Sequence, residues 1–377
     1  MPDTELHEGS LRSPSVETLS TVESEYRGAM NSLESESHSL WYYSWKRLRR
    51  NRLAMAGLIV ISALALVAIL ADVIAPFNPN QQILEYSVKP SFFRGNVLYR
   101  KSENGTDEKV SIPITDFRVE GNTVFYHDFT GAQKKIPLSE LAGANENEWH
   151  AQPVFLLGTD RYGRDVLSRL IYGARVSMSV GLIAESISLL IGICFGAFGG
   201  YFRGLIDEFV MWITNVTWAF PSILLVIAIS VALGQGFWQA FVAIGVSNWV
   251  DTARIVRGQF FSLRESDFVE ATRAMGFGVN RTIFRHILPN AIGPITVTST
   301  AGFAGAIIAE AGLSFLGLGV QPPTSSWGQM IRDGYGYIAA GNNWGLTVYP
   351  CIAIMLAVFA VNLFGDGLRD AMDPKLG

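Results

Sequence analysis

Two cysteines in 377 residues, Cys194 and Cys351, leave no disulfide framework and no thiolate cluster for a metal. Both fall inside apolar runs, where a small side chain packs between helices. Charge is also scarce. Asp, Glu, Lys and Arg make up 16% of the chain, against about a quarter in soluble domains. A glycine-rich loop ending in Lys-Ser or Lys-Thr is absent, so the chain itself has no phosphate cradle for ATP. A nucleophile set beside a base is missing too, as is Cys/His metal spacing, so no catalytic residue, metal or cofactor is expected. The net charge of −4 is unevenly spread and implies no nucleic-acid partner. Apolar residues are plentiful: 49% hydrophobic, with a mean hydropathy of +0.26, describes a polytopic membrane protein with soluble parts.

Residues 1–40 carry eight acidic groups against Arg12 and Arg27 and hold few large apolar side chains. They cannot bury enough surface to offset ordering entropy, so a disordered acidic tail is expected over 1–45. Lys46, Arg47, Arg49, Arg50 and Arg52 then precede the uncharged run Leu53 to Ala71, long enough to span a bilayer. The run is too long and starts too far from Met1 for a cleaved signal peptide. Residues 46–76 are thus a first transmembrane helix, whose basic flank places the N-terminus in the cytoplasm. Residues 77–156 hold no membrane-length run and read as an extracytoplasmic loop. Within it, Val110 to Ile114, Asp116 to Glu120 and Thr123 to His127 alternate like strands, with Gly121-Asn122 at a turn, giving a small β-rich insert over 86–140. Asn104-Gly-Thr106 matches a glycosylation sequon by chance.

Residues 157–377 form the core. LGTDRYGRDVLSRLIYGAR, 157–175, is too polar to cross, and Val166, Leu170 and Ile171 share a face suited to an interfacial helix. Five further spans fall at about 176–200, 209–233, 237–257, 291–315 and 345–365. Gly192, Gly196 and Gly200 make a close-packing face in the second, and Pro221 kinks the third. Six spans return the C-terminus to the cytoplasm, and arginines crowd the inner segments. Glu185 and Glu310 lie inside spans, as cavity-lining groups or as carboxyls bonded to a neighbouring helix.

The cytoplasmic loop 258–290 includes ESDFVEATRAMGFGVNRTIFRHILPN, a charged island between apolar segments. Ser262 followed by Glu265 has capping-box spacing, and Phe268, Ala271 and Met275 recur at helical spacing. Gly276 stands where a left-handed C-cap belongs. A second short helix begins near Gly278 and ends around Leu288, before Pro289. Two short helices about a glycine corner make a knob. His286, alone among arginines and apolar residues, reads as structural there.

The words EAT…G…IFRHILPN resemble the EAA loop of ABC-importer permeases, the element that plugs into the ATPase. Glu270, Ala271, Gly276, His286, Leu288, Pro289 and Asn290 fall on that motif. LGTD-x-x-GRD-V-x-SR-x-x-YGAR, AFP at 219–221, ARIVRGQ at 253–259, AGLSFLGLGVQPPTSSWG at 311–328 and NLFGDGLRDAMDP at 362–374 resemble the C-type permease of dipeptide, oligopeptide and nickel importers. The resemblance implies an all-α, six-span, type I importer permease fold carrying the β-rich insert, in an inner membrane. It implies four kinds of partner: a second permease subunit, two ATPase subunits, an extracytoplasmic solute-binding protein and membrane lipid. A secondary transporter would show paired broken helices and an internal repeat, which are not seen, and a scaffold would leave the knob unexplained. The chain departs from the family at Trp212 and Asn215, where an Arg and an Asp are usual, and in an outer loop longer than the family's.

Overall fold

The computed structural model describes residues 40–101, 109–339 and 343–372. The acidic tail through residue 39 and the Asn104 sequon lie outside them. Helix α1 (Leu40–Leu48) starts inside the stretch read as tail, because Leu48 finds a buried seat against Leu368 and Ala371. Asn51 caps α2 (Arg52–Ile69), its Oδ1 accepting from the Leu53 and Ala54 amides at 3.1 Å each.

Eight strands follow among the described residues. These are β1 (Phe93–Arg94), β2 (Val97–Lys101), β3 (Lys109–Pro113), β4 (Asp116–Glu120), β5 (Thr123–His127), β6 (Gln133–Pro137), β7 (His150–Ala151) and β8 (Val154–Phe155). They form antiparallel sheets ordered β3-β2-β7, β4-β5-β6 and β1-β8. Gly121 turns β4 into β5 at φ +61°, and the alternation sends Val124 and Tyr126 into a core with Leu98, Ile136 and Trp149. The β region runs to Phe155 rather than stopping at 140. Its last strands are two residues long, too short for a period of two to register in sequence.

Helix α3 (Val166–Phe202) has 37 residues, about 55 Å at helical rise. That exceeds a hydrocarbon core of about 30 Å, so residues 166–175 are the protruding first turns of this helix, not a separate interfacial one. Its Gly192, Gly196 and Gly200 face α6 (Phe237–Leu263), where added Cβ atoms would stand 2.5–2.7 Å from Thr252, Ala253, Val256, Arg257 and Phe260. Between them α4 (Gly204–Trp218) and α5 (Ser222–Leu233) meet at 89°, a right-angled break at Pro221 instead of a kink. The chain closes with α7 (Asp267–Ala274), α8 (Leu288–Phe315), α9 (Trp327–Ala339) and α10 (Gly345–Met372).

Among the described residues, Arg52–Ile69, Val166–Phe202, Val279–Phe315 and Gly345–Met372 are long and apolar enough to cross a membrane, and the broken α4–α5 pair makes up to five. The sixth expected span, α6, carries Gln239, Asn248, Asp251 and Arg254, which dilute its apolar run. Its Phe241, Ile244, Val250 and Val256 are buried by other helices. A helix walled in by protein has little need of a lipid-facing composition.

Candidate functional site

The knob is built on the end of α6, which runs through Ser262 to Leu263. The capping-box pair is thus used up inside and just after that helix, and α7 begins later with Ser266 as N-cap. Val269 and Thr272 are buried, Val269 in a cluster with Tyr201, Phe260, Ile283 and Ile287. Phe268, Ala271 and Met275 are exposed on the neighbouring face, Met275 at 62%, and Glu270 is exposed as well. The stripe is turned away from the knob's own core.

Gly276 ends α7 at φ +72°. Its amide donates to Arg273 O at 2.9 Å and the Phe277 amide to Thr272 O at 3.1 Å, the paired bonds of a Schellman cap. Phe277 stacks on His286 with centroids 5.6 Å apart, and the Arg281 guanidinium lies 4.0 Å from the Phe277 ring centre. His286 is half-buried, in keeping with a part in packing.

The expected second helix does not stop before Pro289. One turn, Val279–Arg281, leads through a π-helical stretch, Thr282–Ile287, straight into α8. The Leu288 amide reaches back five residues to Ile283 O, and this wider register leaves room for a ring that crowds the preceding turn. Asn290 Nδ2 donates to His286 O at 2.7 Å, so His286, Pro289 and Asn290 together shape the exit from the knob. Polar bonds anchor the whole unit: Arg264 Nη1 to Tyr201 O at 2.6 Å, Arg203 with Glu265 at 2.8 Å, and a two-pronged Arg257–Asp207 pair at 2.5 and 2.6 Å. Asn215 accepts from Arg254 Nη2 at 3.2 Å while Trp212 is 62% exposed, so position 215 answers to α6 and not to its neighbour three residues back.

A second constellation, which sequence reasoning missed, lies at the other end of α3. Asp160, Arg164 and Arg169 were read as interfacial surface, yet all are buried. Arg164 Nε donates to Asp160 Oδ2 at 2.7 Å and Arg164 Nη2 to Asp333 Oδ2 at 3.3 Å, while Arg161 pairs with Asp333 Oδ1 at 2.9 Å. Arg169 Nε stands 3.4 Å from Asp160 Oδ2. Asp165 caps α3 through the Ser168 amide at 2.7 Å, and burial pushes its carboxyl above the usual carboxylate range. The segment leading into the β region is tied to the same loop by the Val88 amide donating to Asp160 O at 3.0 Å, and to the approach to α10 by Asn343 Nδ2 donating to Lys89 O at 2.9 Å. A signal was present in the surplus of arginine over acid at 157–175. Its partner, Asp333 on α9, lies too far along the chain to be paired by eye.

The membrane carboxylates differ. Glu310 is fully buried and accepts from Ser177 at 3.0 Å and Ser314 at 2.7 Å, with Ser326 adding a third bond, so it ties α3, α8 and the approach to α9. Glu185 is 6% exposed and faces Gly302, whose added Cβ would fall 2.2 Å from its Oε2; its Oε1 has no partner among the described residues. Among the described residues, no three His, Cys, Asp or Glu side chains gather as a metal site.

The knob is held to the C-terminal end of α3 by the Arg203–Glu265 pair and by the Arg264 bond to Tyr201 O. Residues 192–377 match the family model of the binding-protein-dependent transport system inner membrane component, and residues 39–90 that of the N-terminal TM domain of oligopeptide transport permease C. The dipeptide transport system permease protein of Alkalihalophilus pseudofirmus is 35% identical over 338 residues, 90% of this chain and 91% of that protein. The oligopeptide transport system permease protein of Bacillus subtilis is 34% identical over 349 residues, 93% and 94% of the two chains. A solved inward-facing form of the MetNI methionine ABC transporter is 20% identical with a TM-score of 0.46, covering 55% of this chain and 97% of that one. The chain belongs to the binding-protein-dependent permease family: it is an integral inner-membrane permease subunit of an ABC importer, not an enzyme.

Proposed function

We propose that this chain passes peptides or a closely related small solute inward, the solute class that its relatives' names carry. A second permease subunit would complete the path, two ATP-binding subunits would sit beneath the knob, and an extracytoplasmic solute-binding protein would deliver the cargo. The chain crosses six times, α6 included, with both termini in the cytoplasm. The basic flank 46–52 and the arginines around the knob support that orientation. Closure of the ATPase pair moves the knob, and α6 and α8, which enter and leave it, tilt between inward- and outward-facing states. Glu270, Ala271 and Gly276 with His286, Pro289 and Asn290 are the coupling residues in this reading.

The observation that carries it is the outward stripe Phe268, Ala271 and Met275 on an element otherwise packed against its own bundle. Capture of the complex through a tag on this chain tests it. Phe268→Asp with Met275→Asp should strip the ATPase subunits while the partner permease stays. An ATPase that remains attached to this variant would rule the docking face out.

A further inference from the structure

We propose that the exposed face of α1 and the turn after it form a binding site for an anionic phospholipid headgroup. Tyr42, Trp45, Lys46 and Arg49 follow one another at intervals of three, one and three residues, which places all four on a single helical face. The Arg49 amide still bonds to Trp45 O at 3.0 Å, so the stripe is continuous into the turn. Tyr42 is 50% and Trp45 48% exposed, Lys46, Arg49, Arg50 and Arg52 are exposed, and the Arg49 guanidinium lies 5.9 Å from the Trp45 ring centre. Two amphipathic rings followed by clustered cations, one turn from a membrane-length helix, match the layering of a bilayer surface: rings at headgroup depth, cations at the phosphates.

The opposite side of α1 holds the stripe in place. Leu48 is buried with Ala54, Leu368 and Ala371. A Cβ on Gly367 would stand 2.1 Å from Ala54 Cβ, so α2 and α10 touch backbone to side chain right beside the turn. The cations are thus presented on a fixed scaffold, which lowers the ordering cost of a headgroup contact. Among the described residues, Lys46, Arg49, Arg50 and Arg52 form no ion pair with any carboxylate. The rival occupant is this chain's own acidic segment 1–39. Lipid is favoured because the exposed stripe includes two aromatic rings as well as cations, and a Ser/Thr-rich acidic segment has little apolar surface to offer them.

The test uses the whole complex in detergent, titrated with phosphatidylglycerol or phosphatidylcholine in mixed micelles, with bound lipid counted by native mass spectrometry. The parent should prefer phosphatidylglycerol. Lys46→Gln, Arg49→Gln and Arg50→Gln together should weaken that binding by about a hundredfold, at about fivefold per cation, with phosphatidylcholine retention unchanged. Cation loss can also misorient the chain, so a second variant, Trp45→Ser, keeps every charge and should still lose part of the preference. The proposal fails if the parent shows no preference or if the triple variant keeps it. It also fails if millimolar inorganic phosphate displaces the lipid fully, which would make this a free-phosphate site. A rise in phosphatidylglycerol affinity on deleting residues 1–38 would identify the acidic segment as the resident and overturn the assignment.

Discussion

Asp333 stands within ion-pair distance of three guanidinium groups, Arg161 at 2.9 Å, Arg164 at 3.3 Å and Arg169 at 3.9 Å, and among the described residues Asp160 is the other acid paired with Arg164 and Arg169. Removing it leaves Arg164 and Arg169 buried with less charge to answer them than the structure supplies. Breaking such a pair costs about 3–5 kcal/mol, more than any surface bridge in the chain could. Asp333→Ala should therefore lower the unfolding midpoint of the purified complex markedly, while Arg161→Ala, whose side chain is partly exposed, should cost far less. Equal effects of the two would show that burial does not set the price. Gly302 makes a second, independent case. Gly302→Ala forces a methyl into the Glu185 carboxylate and should destabilise by about 1–3 kcal/mol. Glu185→Ala in the same chain should restore most of that loss; a double variant no better than the single one would contradict the contact. Gly276 was legible from sequence because its cap is local, set by residues within one turn. Asp333 was not, because its partners Arg161, Arg164 and Arg169 lie more than 160 residues back, and nothing local marks the pairing.

Among the elements, the β region is the one whose purpose the bundle does not explain. It is seated on the loop 157–165, which is in turn held to α9 by Asp160, Arg164 and Asp333. We infer that residues 86–140, with the closing strands to Phe155, help to seat the solute-binding protein. Replacing 97–151 by a Gly/Ser linker should leave the permease complex assembled yet weaken docking of that protein, read as loss of its stimulation of ATP hydrolysis. Unchanged docking and stimulation would remove the idea. The seat itself has a pH signature. Tyr86 is fully buried, donates from its hydroxyl to Asn96 O at 2.7 Å and accepts from the Asn96 amide at 2.8 Å. Burial pushes its phenol up to about 12 from 10.0. A folded-state value above the unfolded one means this stabilisation is whole below pH 10 and is lost as pH rises through 10 to 12. Amide exchange at residues 86–99 should accelerate in that window in the parent, and Tyr86→Phe should show no such step. The strand pairs β4 and β5 could be read from alternation, whereas α7's apolar set was read correctly as a stripe but assigned no direction. Periodicity reports that a face exists, and only the packing of Val269 and Thr272 tells which face is inward.

For the whole molecule, every span of the bundle was legible as a location, α6 included, although its composition is more polar than the others. α2, α3, α8 and α10 pass on length and hydropathy, while α6, expected as a span over 237–257, keeps polar groups that dilute its apolar run. The break at Pro221 was readable as a location but not as an angle, since the 89° turn is set by how α4 and α5 pack. What the bundle and knob together require is that motion at the knob reach the spans intact. The most direct test is ATP-driven solute uptake by the complete importer in proteoliposomes, with ATP hydrolysis recorded in the same vesicles, for Gly276→Val beside Asn280→Ala. At φ +72° a β-branched residue is strained, at a cost of about 1–3 kcal/mol if the cap is kept. Open space around the glycine means the effect is conformational and not steric. The account predicts that Gly276→Val inserts normally but loses uptake, with ATPase subunits bound weakly or hydrolysing ATP without moving solute, while exposed Asn280→Ala transports as the parent does. Parental uptake by Gly276→Val with its ATPase normally attached would contradict the claim that this knob is the coupling element.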